Sequence, residues 1–201
     1  MRHLIIRWRT PLLLLASALM ALAILLPLWG MTLVSTQYPE GLRMVVFPGG
    51  IEGDLGEINA LNRYIGMTPI SADYFVELRF LPLAFGGIAA LIAAAVLVRK
   101  RWMPAVPLLA MAGVALYGLW SMQHRLHQFG HDLDPTAPMT IDPFTPPMMG
   151  LNQIAQFASF TYFSWGTVLP LVSGLIVALV FWAGLREPSP AHSQPVLALA
   201  A

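Results

Sequence analysis

Four stretches of this chain, residues 11–34, 80–98, 102–122 and 162–185, contain no Asp, Glu, Lys, Arg or His. Crossing the hydrocarbon core of a bilayer takes about 20 apolar helical residues, so each stretch is long enough to span one. Charged residues make up only 10% of the 201 residues, whereas a soluble domain carries about 25%. Too few charges remain to coat a water-facing globule. All six tryptophans lie near the ends of these stretches, as Trp8 and Trp29, Trp102 and Trp120, Trp165 and Trp182. Indoles favour the membrane–water interface, and a helix from Trp102 to Trp120 rises about 27 Å, close to the hydrocarbon thickness.

The segments between the stretches divide by charge. Arg2, Arg7, Arg9, Arg99, Lys100, Arg101 and Arg186 are seven cations set against the single acid Glu187, a balance of +6. Segments 35–79 and 123–161 hold nine acids (Glu40, Glu52, Asp54, Glu57, Asp73, Glu77, Asp132, Asp134 and Asp142) against four arginines, a balance of −5. The formal net charge of +1 is thus the remainder of two large opposite terms. Basic segments stay cytoplasmic, which places both termini inside and both long loops outside. The expected fold class is an all-α membrane protein: four transmembrane helices, with two long extracytoplasmic loops forming an outer cap. The first stretch reads as an uncleaved signal anchor, since no small-x-small cleavage site follows it. Residues 186–201 read as a disordered tail.

Composition excludes several kinds of chemistry. Without cysteine there is no disulfide, zinc–thiolate site, iron–sulfur cluster or cysteine nucleophile. No histidine lies inside a span to ligate a haem, and no charge lies there to carry protons or ions. Nucleic-acid binding is disfavoured by the lack of a basic patch. No GxSxG or phosphate-binding loop occurs.

Activity, if any, is therefore expected in the outer loops. In the first, residues 41–47 suit a short strand ended by Pro48-Gly49-Gly50. Leu55, Ile58, Leu61, Asn62 and Ile65 recur at helical spacing behind Asp54, a candidate N-cap with Glu57 three residues on. The second loop opens with the histidine cluster His124, His127 and His131, followed by Asp132 and Asp134. On a helix running past the interface, positions i, i+3 and i+7 share one face. Imidazoles with nearby carboxylates suit zinc or copper. The outer methionines, among them Met67, favour copper, because thioether and imidazole without thiolate is a copper donor set. Ordinary interfacial solvation explains the same histidines equally simply. Asn152, Gln153 and Gln156, followed by Phe157, Phe160, Tyr162 and Phe163, read as a re-entrant or interfacial helix entering the last span.

Gln37-Tyr38-Pro39-Glu40-Gly41-Leu42, Gly53-Asp54, residues 58–67, Gly130-His131-Asp132-Leu133-Asp134-Pro135 and Pro146-Pro147-Met148-Met149-Gly150 together resemble a family of uncharacterised small polytopic membrane proteins. Genes of that family accompany a copper-chaperone lipoprotein and the accessory proteins of nitrous oxide reductase. The resemblance implies copper handling outside the cytoplasmic membrane, with Met67 and His131 as the carried-over ligand candidates. Where relatives carry a histidine, this chain has Arg63, and a guanidinium offers no lone pair to a metal.

The leading expectation is an inner-membrane accessory protein for copper handling or cuproenzyme maturation, with metal candidates His124, His127, His131, Asp132 and Met67. Its partner would be a copper chaperone or a cuproenzyme. The alternative is a metal-free assembly subunit docking a partner through Asp54, Glu57, Asn59, Asn62, Tyr64 and Asp134. A third reading is a quinone- or lipid-interacting membrane enzyme.

Overall fold

A computed structural model describes residues 7–98, 100–154 and 157–185. The expected tail, Arg2, Arg99 and Gln156 lie outside the described residues. The fold has two layers along one axis: a bundle of apolar helices and, at one end of it, an antiparallel sheet.

The first helix, α1 (Arg9–Leu22), runs into a 3-10 turn (Ala23–Leu25) and stops there. Pro27 is the cause. Its ring forces the preceding residue out of the helical region, and Leu26 is extended, with φ −113° and ψ 147°. Trp29–Val34 then form strand β1. The first stretch is therefore not a 24-residue helix but a short apolar helix, Arg9–Leu25, followed by a strand.

The chain continues through β2 (Leu42–Phe47) and β3 (Gly50–Gly53) into α2 (Leu55–Tyr64). Two 3-10 turns (Ala72–Tyr74 and Val76–Phe80) lead into α3 (Leu81–Leu97). Helix α4 (Ala105–His131) runs back, β4 (Gly150–Ile154) and β5 (Phe157–Phe163) form a hairpin, and α5 (Trp165–Leu185) closes the chain. Three helical segments, Val76–Leu97, Ala105–His131 and Trp165–Leu185, are long and apolar enough to cross a membrane.

The all-α expectation is overturned by the five-stranded sheet, whose order is β3-β2-β1-β5-β4 with every pairing antiparallel. The expected interfacial helix at 152–163 is the β4–β5 hairpin instead. Phe157, Phe160, Tyr162 and Phe163 are strand-favouring aromatics, and an apolar run of this length does not by itself separate strand from helix. The expected strand at 41–47 and helix at 55–65 are both present.

Helix α1 forms the middle of the bundle. Leu13, Ala16 and Met20 pack with Phe85, Ile88, Ala89 and Ile92 of α3 and with Val177 and Val180 of α5. Serine hydroxyls join the helices: Ser17 donates to Ala89 O at 2.9 Å, and the fully buried Ser173 donates to Ala16 O at 2.8 Å. Such bonds have no competition from water in an apolar bundle. Helix α4 packs through Leu108, Ala110, Met111 and Val114, whereas residues 115–120 are exposed in every direction around the helix.

One face of the sheet is covered. Trp29, Leu42, Met44 and Phe157 enclose a second core with Ile58, Leu61 and Ile65 of α2. The other face, carrying Val34, Phe160 and Leu151, is bare.

Candidate functional site

A concavity lies where the two segments of the cap meet. It is an open pocket of about 700 Å³, lined among others by Arg63, Met67, Thr68, Asp132, Leu133 and Asp134. Local hydrogen bonding builds its first wall. Helix α2 ends as Met67 N–H donates to Asn62 O at 2.8 Å, which turns the chain at Gly66. Gly66 has φ +79°, and a Cβ there would lie 2.8 Å from Asp134 O, so both the backbone conformation and the close approach require glycine.

The second wall is the segment after α4. Asp134 N–H donates to Gly66 O at 2.8 Å, and Met139 N–H donates to Tyr64 O at 3.1 Å. Phe144 N–H donates to Gly130 O at 3.0 Å, and any side chain at Gly130 would overlap the Phe144 carbonyl. The Asp134 carboxylate accepts from Thr136 Oγ1 at 2.7 Å and from Thr136 N at 2.8 Å. The Thr136 hydroxyl, and then the Thr136 backbone amide, hold the Asp134 carboxyl below its ordinary range, because both bonds favour the ionised form.

The metal candidates separate into three groups. Met67 and Asp132 line the pocket together, although they come from different halves of the chain. His127 and His131 stack with ring centroids 3.8 Å apart and planes 8° from parallel. His131 Nδ1 lies 3.0 Å from His127 O; a carbonyl only accepts, so Nδ1 is the donor in this contact, and Nε2 is the ring nitrogen left for another partner. His124 turns back onto Trp120, with ring centroids 5.5 Å apart and planes 2° from parallel. Among the described residues, no group of three or more His, Asp or Glu side chains is placed to hold a metal ion.

The docking candidates also divide. Asn59 clamps the chain beyond α2: its Nδ2 donates to Ile70 O at 2.8 Å and its Oδ1 accepts from Ile70 N at 2.7 Å. Asp54 does not cap α2 with its side chain; its Oδ2 accepts from Arg43 N at 2.8 Å, tying the helix start to β2. Asn62 is buried and its Nδ2 has no hydrogen-bond partner among the described residues. Glu57, Tyr64 and Asp134 are exposed.

One polar cluster had no counterpart in the sequence reading. Glu77 accepts from Arg125 Nε at 3.1 Å, from Arg125 Nη2 at 3.2 Å and from Ser121 Oγ at 2.8 Å. The Arg125 guanidinium also lies 4.7 Å from the Tyr74 ring centroid, and Tyr74, Phe75 and Phe129 form an aromatic group around it. Ser121 and Arg125 share a helix face by their four-residue spacing. Nothing local points to Glu77 as their partner.

No family model, curated protein or solved structure matches the chain.

Proposed function

We propose that this protein is an integral protein of the cytoplasmic membrane, with both termini inside, and that its cap serves extracytoplasmic copper handling or cuproenzyme maturation. The membrane assignment is supported by three span-length helices and by the charge segregation of the sequence; both termini lie inside because the shorter apolar helix Arg9–Leu25, packed among the other three, makes the fourth crossing. Topology is testable directly: the chain lacks cysteine, so single cysteines at Glu57 and at Lys100 report their side by labelling with an impermeant maleimide. Glu57 is expected to label in intact spheroplasts and Lys100 only after lysis; the reverse pattern overturns the orientation.

The observation that carries the copper reading is that Met67 and Asp132 line one open pocket, with the His127–His131 pair immediately before Asp132 in the chain. Thioether and imidazole are donors suited to copper. The test is a Cu(I) titration of the detergent-purified protein against a competing chelator, comparing wild type with His127→Ala/His131→Ala and with Met67→Leu. Both variants are expected to bind about tenfold or more weakly, equivalent to about 1.4 kcal/mol. Equal affinity in all three, or none in any, overturns the copper reading.

A metal-free assembly subunit is the second reading. It is favoured by the separation of His124, stacked on Trp120, from the His127–His131 pair and by the exposed acids of the cap, Glu52, Glu57 and Asp132. Cysteine-directed crosslinking from Glu57 distinguishes it: a specific adduct in a strain lacking copper supports metal-independent docking.

A further inference from the structure

The sheet ends at β4, and the outward edge of that strand is unpaired. Ser164 N–H donates to Leu28 O at 2.9 Å, which sets the alternation along β1 and β5. Opposite residues of an antiparallel pair alternate between hydrogen-bonded and non-hydrogen-bonded positions. Gly30–Tyr162, Thr32–Phe160 and Val34–Ala158 are therefore the bonded pairs of that ladder. The peptide groups of Phe157, Ser159 and Thr161 then face β4, where their register partners are Ile154, Asn152 and Gly150. The N–H and C=O groups of Leu151 and Gln153 are left pointing away from the sheet. They have no hydrogen-bond partner among the described residues.

Folded proteins blunt such edges with charge, proline, a bulge or a very short strand. The opposite edge is blunted: β3 is four residues long, carries Glu52 and is bounded by Gly50 and Gly53. Strand β4 contains neither charge nor proline. Leu151 is 80% exposed, and it shares the bare face with Phe160 and Val34, exposed at 47% and 40%. Free backbone groups and adjacent apolar side chains together specify an extended polypeptide as the occupant.

The described ends of the chain lie away from this edge. Arg9 Nη2 donates to Ala95 O, which puts the start of α1 beside the end of α3, remote from the sheet. Helix α5 begins beside β5 and runs away from it.

We propose that β4 receives an extended segment of a second, extracytoplasmic polypeptide as a sixth strand. The segment presents apolar side chains on the face of Leu151 and Phe160 and carries a basic flank, matching the acid excess of the cap. The side of the membrane rests on the topology proposed above; the edge itself does not depend on the copper reading.

The test uses the full chain in nanodiscs and a fluorescein-labelled synthetic peptide of alternating Thr and Ile with two Lys at one end. Gln153→Pro removes an outward N–H that the β4–β5 ladder does not use, at an edge position that tolerates proline. The peptide is expected to bind wild type and Gln153→Thr alike and to bind Gln153→Pro about tenfold more weakly, the loss of one backbone hydrogen bond. Leu151→Lys, which leaves the backbone intact, is expected to weaken binding as well. Hydrogen exchange should slow at the Leu151 and Gln153 amides and stay unchanged at Asn152. Absence of peptide binding, equal binding by Gln153→Pro, or slowed exchange confined to other segments overturns the proposal. So does a photocrosslinker at Leu151 that yields, in cells, only lipid adducts or only a dimer of this chain.

Discussion

Replacing Arg125 by leucine probes the contact that joins the start of α3 to the outer turns of α4. In the structure Arg125 holds both oxygens of Glu77 at 3.1 and 3.2 Å, and the two side chains are only 26% and 18% exposed. Removing one partner of a buried pair costs about 3–5 kcal/mol, because the remaining charge is left desolvated. This pair is partly wet, so the lower end applies. Loss of the Tyr74 contact adds about 0.5–1 kcal/mol, and the bond from Ser121 to Glu77 survives. The expected cost for Arg125→Leu is therefore about 3.5–4 kcal/mol, or a fall in Tm of about 7–16 °C at the 2–4 °C per kcal/mol typical of a chain this size. Arg125→Lys keeps the charge but loses the fork and the ring contact, and it should fall between. The decisive comparison is Glu77→Gln/Arg125→Leu, in which the orphaned charge is gone while the new side-chain amide still accepts from Ser121. It should recover at least about 1 kcal/mol of the single-variant loss, a coupling within the usual range for contacting residues. Thermal unfolding followed by tryptophan fluorescence in detergent reads all four proteins. A double variant no more stable than Arg125→Leu refutes the argument.

Further outcomes follow from the same geometry. Gly130→Ala should loosen the segment after α4, since its methyl displaces Phe144; limited proteolysis between residues 132 and 149 is expected to accelerate, while Gly113→Ala, where a methyl meets nothing within 4 Å, should be neutral or stabilising by up to about 1 kcal/mol. Asn59→Leu loses both bonds to Ile70 and should cost about 2 kcal/mol, read as a lower Tm. The lowered Asp134 carboxyl contributes stability above the ordinary value of 3.8 and loses it as pH falls through the folded value; Thr136→Val removes the hydroxyl bond and should raise the Asp134 titration, followed by carbon NMR of the labelled carboxyl.

The parts of the fold legible in the sequence were those encoded locally. Pro48-Gly49-Gly50 ends β2, and the spacing of Ile58, Leu61 and Ile65 marks the face of α2 that meets the sheet. The strands β1 and β5 were hidden because each adjoins an apolar helix without an intervening charge. Pro27 alone marks where α1 gives way to β1. In β5 both faces are apolar, with Phe157 and Phe163 on one and Phe160 and Tyr162 on the other, so the polar alternation that reveals a half-exposed strand is missing. The pocket was legible only as a pair of suspects: Met67 and Asp132 were each singled out, but Gly66 O meeting Asp134 N is a tertiary event. Helical spacing put His124 on the face of His127 and His131, yet stacking on Trp120 turned its ring away.

The placement of β1 at the centre of the sheet also dictates an order of assembly. One side of β1 pairs with β2, the next segment to emerge. Its other side waits for β5, about 120 residues later, or some 6–25 s at ordinary synthesis rates. Between those two events α3 and α4 must be made. For that interval the nascent cap is a three-stranded half-sheet with an open central edge. A chain truncated before β5 retains α1 to α4 but keeps that edge permanently, which makes it a substrate for quality-control proteases rather than a smaller working version of the protein.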